Sequence, residues 1–153
     1  MAVGIASIAE PDVRALLSLH QRRMFDASPP GTSFALDLEG LSDAGIPIFA
    51  LRGDDGLLGV CALKALSAHE GEIKSMRTAD HALRRGVGQA LLDHVARTAA
   101  GRGYRRLLLE TGTGPVFEAA NRLYMRNGFA RCGAFGGYTP SAFNIFYERS
   151  LRP

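Results

Sequence analysis

The segment HALRRGVGQALL, residues 81–92, is where the chain changes its hydrophobic period, and that change limits the folds open to it. Before it lie three runs with strand character. IPIFALR and LLGVCALKAL flank GDDG, a hairpin signal because glycine and aspartate tolerate the positive φ of tight turns. GEIKSMRTA follows as a third member of that meander. From Gly86 onward Gly88, Leu91, Leu92, Val95 and Ala99 recur at three and four, the stripe of an amphipathic helix closed by GRG. YRRLLLET comes next as a strand buried on both faces, as in a parallel pair.

The flanking segments complete the outline. Val3 to Ile8 alternate like a first strand, and Pro11 opens a helix to Phe25 with Val13, Leu16, Leu17 and Met24 at helical spacing. SPPG at 28–31 is a loop, and FALDLEGL is expected as a short second helix. Pro115 opens another helix to Asn127, with Gly128 as its stop, before GFARCGAF and NIFYERSL close the chain as two strands. The order β, α, α, β, β, β, α, β, α, β, β predicts one α+β or α/β domain over residues 1–153, with helices on the faces of the sheet.

Composition narrows the functional classes. A 46% hydrophobic and 22% charged chain of 153 residues is an ordinary globular sequence with enough length for a core. No stretch approaches a membrane span, and MAVGIASIAE lacks the basic and apolar regions of a signal peptide. Cys61 and Cys132 have no metal-type spacing and fit free thiols in a reducing cytoplasm. His20, His69, His81 and His94 form no ligand set, so no metal is expected; His81, beside the glycines, is the one worth testing. The net charge of +3 gathers in small basic clusters without interleaved aromatics, which argues against a nucleic-acid partner.

The glycines of the joint admit two readings. A helix amino-terminus carries unpaired amides and partial positive charge, so it attracts phosphate, and Arg84 and Arg85 add charge. Alternatively, Gly86 and Gly88 serve only the turn and its packing. No GKS or GKT follows, which excludes a Walker loop, and the glycines follow a meander instead of the first strand of a βαβ unit, which disfavours a dinucleotide fold.

EIKSMRTADHALRRGVGQALLDHV, GYRRLLLET and AANRLYMRNGF together resemble the GNAT superfamily of acyl-CoA-dependent N-acetyltransferases. Leu83 to Gly88 match its Q/R-x-x-G-x-G/A signature except for leucine at the first position, and Leu123 to Phe129 match L-Y-x-x-x-G-F in full. The tail YTPSAFNIFYERSL suggests the YsnE-like bacterial branch. The resemblance implies a mixed, mostly antiparallel sheet of about six or seven strands, splayed between the fourth and fifth and flanked by about four helices. It implies acetyl-CoA as co-substrate, its pyrophosphate cradled by Arg84, Arg85, Gly86, Val87, Gly88 and Gln89. The strand carrying Met76, Arg77 and Thr78 would pair with the pantetheine arm as an added strand. Many members place a cofactor-binding asparagine where this chain has Phe117; Asn121, one turn later, is the candidate here, against the reading of a solvated helix asparagine.

The expected reaction is direct attack of an amine on the acetyl thioester in a ternary complex. Such attack needs proximity, a neutral amine, a stabilised oxyanion and a proton for the departing thiolate. The resemblance assigns the oxyanion contact to the Met76 amide and the acid to Tyr124, whose other reading is a core tyrosine. Glu72 is the candidate base, with Glu110 next; the other readings are a surface glutamate at a strand end and proton removal through water. Phe25, Phe34, Tyr138 and Asn144 are expected to meet the acceptor, a small or amino-acid-like amine. Competing readings are acetylation of a protein amine, a non-catalytic CoA-binding or regulatory module, and a structural domain whose glycine joint is only a turn. The last strands could also pair across a two-fold to make a homodimer.

Overall fold

The computed structural model describes residues 2–27, 38–43 and 45–151. Within these residues seven strands form one sheet: β1 (Ala2–Ala6), β2 (Ile48–Gly53), β3 (Gly56–Ala65), β4 (Glu70–Thr78), β5 (Arg106–Gly112), β6 (Ala130–Arg131) and β7 (Asn144–Ser150). Among the described residues four helices accompany them: α1 (Pro11–Ala27), α2 (Leu38–Asp43), α3 (Val87–Gly101) and α4 (Glu118–Arg126). The spatial order is β1-β2-β3-β4-β5-β7-β6, and every neighbouring pair is antiparallel except β4 and β5. This is the mixed, mostly antiparallel α+β sheet expected from the sequence. No helix among the described residues is long and apolar enough to cross a membrane.

Local chemistry sets several boundaries away from their expected places. The first strand stops at Ala6, not Ile8, because the Ser7 amide turns to the Glu10 carboxylate at 2.6 Å and the Glu10 amide returns to the Ser7 carbonyl. In the GDDG hairpin the positive φ falls on Gly56, at 88°, and neither aspartate shares it. Pro115 opens a single 3-10 turn to Phe117 before α4 begins. GFARCGAF yields only the two residues of β6, since the chain then turns through Gly136 and Gly137, both at positive φ. The second helix begins at Leu38; residues 34–37 of its expected span lie outside the described residues.

The two helix layers can be assigned strand residue by strand residue. Gly59 of β3 pairs with Thr78 of β4, and a Cβ built on Gly59 would lie 2.6 Å from Val87 Cγ1 and 3.0 Å from Leu91 Cδ1, so this side faces α3. Val60 pairs with Arg77, whose guanidinium reaches His20 of α1, so the other side faces α1. Covered on both faces, β3 is buried from Leu57 to Leu63 and forms the centre of the core.

β4 departs from regularity at one point. Val60 pairs with Arg77 and Ala62 with Lys74, so Cys61 alone opposes Ser75 and Met76. That is a β-bulge, and Ser75 takes the left-handed conformation at φ 55° to make it. Only Glu70, Gly71 and Glu72 pair with β5, while β5 runs on to Gly112 beside β7. Beyond Glu72 the two strands part, so the sheet is splayed between its fourth and fifth members.

The close seat of α3 on Gly59 has a stability consequence. Gly59→Ala should lower unfolding free energy by about 1–3 kcal/mol, because Val87, Leu91 and the Arg77 carbonyl leave no room for a methyl. Gly4→Ala, whose Cβ meets nothing within 4 Å, should stay within about 0.5 kcal/mol of the parent in a denaturant titration.

Candidate functional site

The two glycines of the joint do different work. Gly86 precedes α3 at φ 78°, and a Cβ placed on it would meet nothing within 4 Å, so the position needs glycine for conformation and opens onto free space. Arg84 is also left-handed, at φ 63°. Gly88 lies inside the helix, where a Cβ would come 2.9 Å from Leu123 Cδ2 of α4. It is therefore a packing glycine. No side chain caps α3, and among the described residues the amides of Gly86, Val87, Gly88 and Gln89 have no acceptor. A helix end of this kind has the charge and the donors to suit an anion.

α3 and α4 are joined by an amide pair that sequence reasoning missed. Gln89 Nε2 donates to Asn127 Oδ1 at 2.7 Å, and Asn127 Nδ2 returns to Gln89 Oε1 at 2.9 Å. The Gln89 side chain is thus engaged inside the fold, while its main-chain amide stays at the helix end. Arg85 pairs with exposed Asp55 at 3.0 Å. Exposed His81 sits in the 3-10 turn Asp80–Ala82 ahead of the loop.

Next to this helix end runs the open edge of β4. Tyr124 of α4 is buried against Phe129 and Tyr147, and its hydroxyl lies 4.0 Å from Met76 Sδ. Burial raises its pKa above that of a free phenol, so it is protonated at neutral pH. Asn121 Nδ2 donates to the Gly112 carbonyl at 3.1 Å, whereas its buried Oδ1 has no partner, alone among the buried side-chain nitrogen and oxygen atoms of the described residues. A buried acceptor of that kind calls for a donor from outside the chain. Phe117 instead packs its ring on Gly112, where any Cβ would collide with it.

A charged cluster occupies the other face of the splay. Glu72 pairs with Lys64 of β3 and Leu108 of β5, so Glu72, Lys74 and, one step beyond Leu108, Glu110 share the α1 face. Glu72 is 2% exposed; Lys74 Nζ lies 3.2 Å from its Oε2, and the Tyr138 hydroxyl donates to the same oxygen. Lys74 also reaches the Tyr138 hydroxyl and stands 5.0 Å from its ring centroid. Glu110 is pushed up to about 7, chiefly by burial, with a hydrogen bond from Asn144 and the Lys74 charge opposing and Glu72 adding to the rise. Tyr138, Phe135 and Phe146 form an aromatic wall with centroids 5.4–5.9 Å apart.

The remaining expected site residues are placed differently. Asn144, beside Glu110, is buried and also shapes the loop before β7, its Nδ2 donating to the Thr139 carbonyl at 3.1 Å and its Oδ1 accepting from the Ser141 amide at 2.9 Å. Phe25 projects from α1 at 69% exposure, and Phe34 lies outside the described residues. Cys61 is fully buried, and burial pushes its thiol up to about 12, which leaves no thiolate for nucleophilic work. Sequence reasoning also passed over Lys74 and His20. Lys74 could have been found from its i, i+2 spacing to Glu72 on a strand, whereas His20 sits at a core position of α1 and carries no sequence signal.

The family model described as Acetyltransferase (GNAT) family matches residues 13–129. The chain belongs to the GNAT family. It is 41% identical over 144 residues to the uncharacterized N-acetyltransferase YedL of Escherichia coli (strain K12), covering 94% of this chain and 91% of that one. It is 38% identical over 151 residues to the uncharacterized N-acetyltransferase YsnE of Bacillus subtilis (strain 168), covering 99% and 100%. Its fold matches a GNAT family acetyltransferase from Elizabethkingia anophelis, crystallised with acetyl-CoA bound, with a TM-score of 0.70 at 16% identity over 97% of each chain. This GNAT chain is thus an acyl-CoA-dependent N-acetyltransferase, and the likeness to YsnE read from its tail is borne out.

In this GNAT loop the φ of residue 86 can be tested directly. Gly86→Ala should cost about 1–2 kcal/mol despite the open space, because an L side chain resists the left-handed region. Gly86→Asn should cost less, and equal costs in thermal unfolding would contradict the conformational assignment.

Proposed function

We propose that this protein transfers the acetyl group of acetyl-CoA to the primary amine of a small, amino-acid-like molecule by direct attack. The observation that carries the reading is the conjunction of free amides at the start of α3 with a β4 edge left unpaired after Glu72. Arg84 to Gln89 would hold the pyrophosphate with main-chain groups. Met76, Arg77 and Thr78 would offer β4 backbone to the pantetheine arm, and Asn121 Oδ1 would accept from one of its amides. Acetyl-CoA supplies the acyl thioester; the protein supplies position and proton management.

The proton donors and acceptors lie on opposite faces of the splay. Tyr124 approaches Met76 from the α4 side, protonated and screened from water, and so suits the acid role toward a departing thiolate. Glu72 and Glu110 lie on the α1 side as the base pair. Glu72 already accepts from Lys74 and Tyr138, so we assign proton removal to Glu110 and the holding of Lys74 and Tyr138 to Glu72. A carboxylate near 7 is charged for half of the molecules at neutral pH, close to the best compromise for a general base. The Met76 amide, next to the left-handed Ser75, is the candidate for the oxyanion contact.

Thiol release from acetyl-CoA across a library of small amines tests the reading, and its failure with every amine while CoA still binds would leave a non-catalytic binding module. With an active amine in hand, activity should rise with pH through about 7 as Glu110 loses its proton. Glu110→Gln should remove that limb and lower kcat/KM by about a hundredfold or more. Glu72→Gln should retain the limb; the reverse pattern would make Glu72 the base. Tyr124→Phe should lower kcat, and an unchanged kcat would remove the acid role.

A further inference from the structure

The bulge at Ser75 has an effect on the acceptor side of the sheet as well as on the cofactor side. In a regular strand Lys74 and Arg77, three apart, would point to opposite faces. With Ser75 and Met76 both opposite Cys61, Arg77 pairs with Val60 as Lys74 pairs with Ala62, and both lie on the α1 face. That face carries Glu72, Glu110 and the aromatic wall of Tyr138 and Phe146. Arg77 is therefore delivered to the acceptor face at the residue after Met76, while its backbone remains part of β4.

Its surroundings leave it with capacity to spare. Arg77 Nε donates to His20 Nδ1 at 3.1 Å. His20 is buried, and burial with the adjacent Arg77 charge brings it down to about 3, so the imidazole is neutral and its Nδ1 accepts. This bond fixes the guanidinium through Nε, while Nη1 and Nη2 have no partner among the described residues. Neighbouring charges do not cancel it. Arg23 and Asp80 are already joined by two hydrogen bonds of 2.7 Å, which leaves two cations for one anion in this corner. Lys74, by contrast, is matched by Glu72. The Nη groups are also not sealed in, since the buried side-chain atom without a partner is Asn121 Oδ1.

We infer that the acceptor amine carries a carboxylate, and that the Nη edge of Arg77 binds it, with His20 as the positioning residue. The inference rests on the N-acetyltransferase reading and narrows its substrate to amino acids. Guanidinium presents paired donors in a plane that matches a carboxylate, and a half-buried setting strengthens the pair. Arg77 adjoins Met76, so a carboxylate held there lies close to the acyl position and suits an amine one or two carbons away. The aromatic wall on the same face would cover an apolar side chain.

The test measures thiol release from acetyl-CoA with matched pairs, such as phenylalanine with phenethylamine and leucine with isopentylamine. Each pair is assayed with the wild type, Arg77→Met, Arg77→Lys and His20→Asn. The ratio of kcat/KM between acid and decarboxylated amine is the readout, because comparing that ratio across variants cancels differences in amine reactivity. Arg77→Met should reduce the ratio by about ten- to a hundredfold, mainly through KM of the acid. Arg77→Lys should keep part of it, and His20→Asn should reduce it less than Arg77→Met. An equal loss on both members of a pair, or an unchanged ratio, overturns the inference and leaves the acetyltransferase reading standing. Turnover of decarboxylated amines but of no amino acid by the wild type does the same. If the wild type binds acetyl-CoA and turns over no amine at all, both fall together.

Discussion

The parting of β4 from β5 is the constraint on which the rest of the structure depends. A sheet normally satisfies its backbone groups strand by strand, and an interior strand left unpaired exposes a row of donors and acceptors. Here three residues of β4 pair with β5 and the remainder do not. The left-handed Ser75, a conformation that costs about 1–3 kcal/mol for a non-glycine residue, keeps the bulge in place. The opening is thus built into the strand, and the surrounding core on β3 holds it there.

Three groups of residues acquire their meaning from that opening. The amides at the head of α3 face the space beside it because Gly86 turns the chain through a left-handed conformation. Tyr124 enters from α4, whose position against α3 is set by Leu123 on Gly88 and by the Gln89–Asn127 amide pair. Glu72, Lys74, Glu110 and Tyr138 gather on the opposite face, where burial raises Glu110 into the range useful for proton removal. The glycine motif and the L-Y-x-x-x-G-F motif are therefore one physical unit, the two sides of a single helix contact.

Much of this was legible in the sequence because it depends on local chemistry. The change of hydrophobic period at Gly86 marks the start of α3 within a residue, and the apolar runs on either side of GDDG with GEIKSMRTA after them give β2, β3 and β4. The bulge was not legible, since serine is no signal for positive φ and the count of two residues against one exists only when the strands are paired. The Lys74–Tyr138 contact spans 64 residues, and His20 reads as one more core position of α1. Gly88 reads from sequence either as a phosphate-loop glycine or as a packing glycine, and the side chain that excludes a Cβ there, Leu123, lies thirty-five residues on. GFARCGAF reads as a full strand, but pairing with β7 covers only Ala130 and Arg131, and the chain then turns at Gly136 and Gly137 beyond the segment.

Amide hydrogen exchange with and without CoA addresses the opening most directly. Protection on adding millimolar CoA should concentrate in residues 84–89 and in β4 from Met76 to Thr78, with β1, β6 and the start of β5 unchanged. Uniform protection, or none in those two segments, would mean that the open strand and the head of α3 do not hold the cofactor.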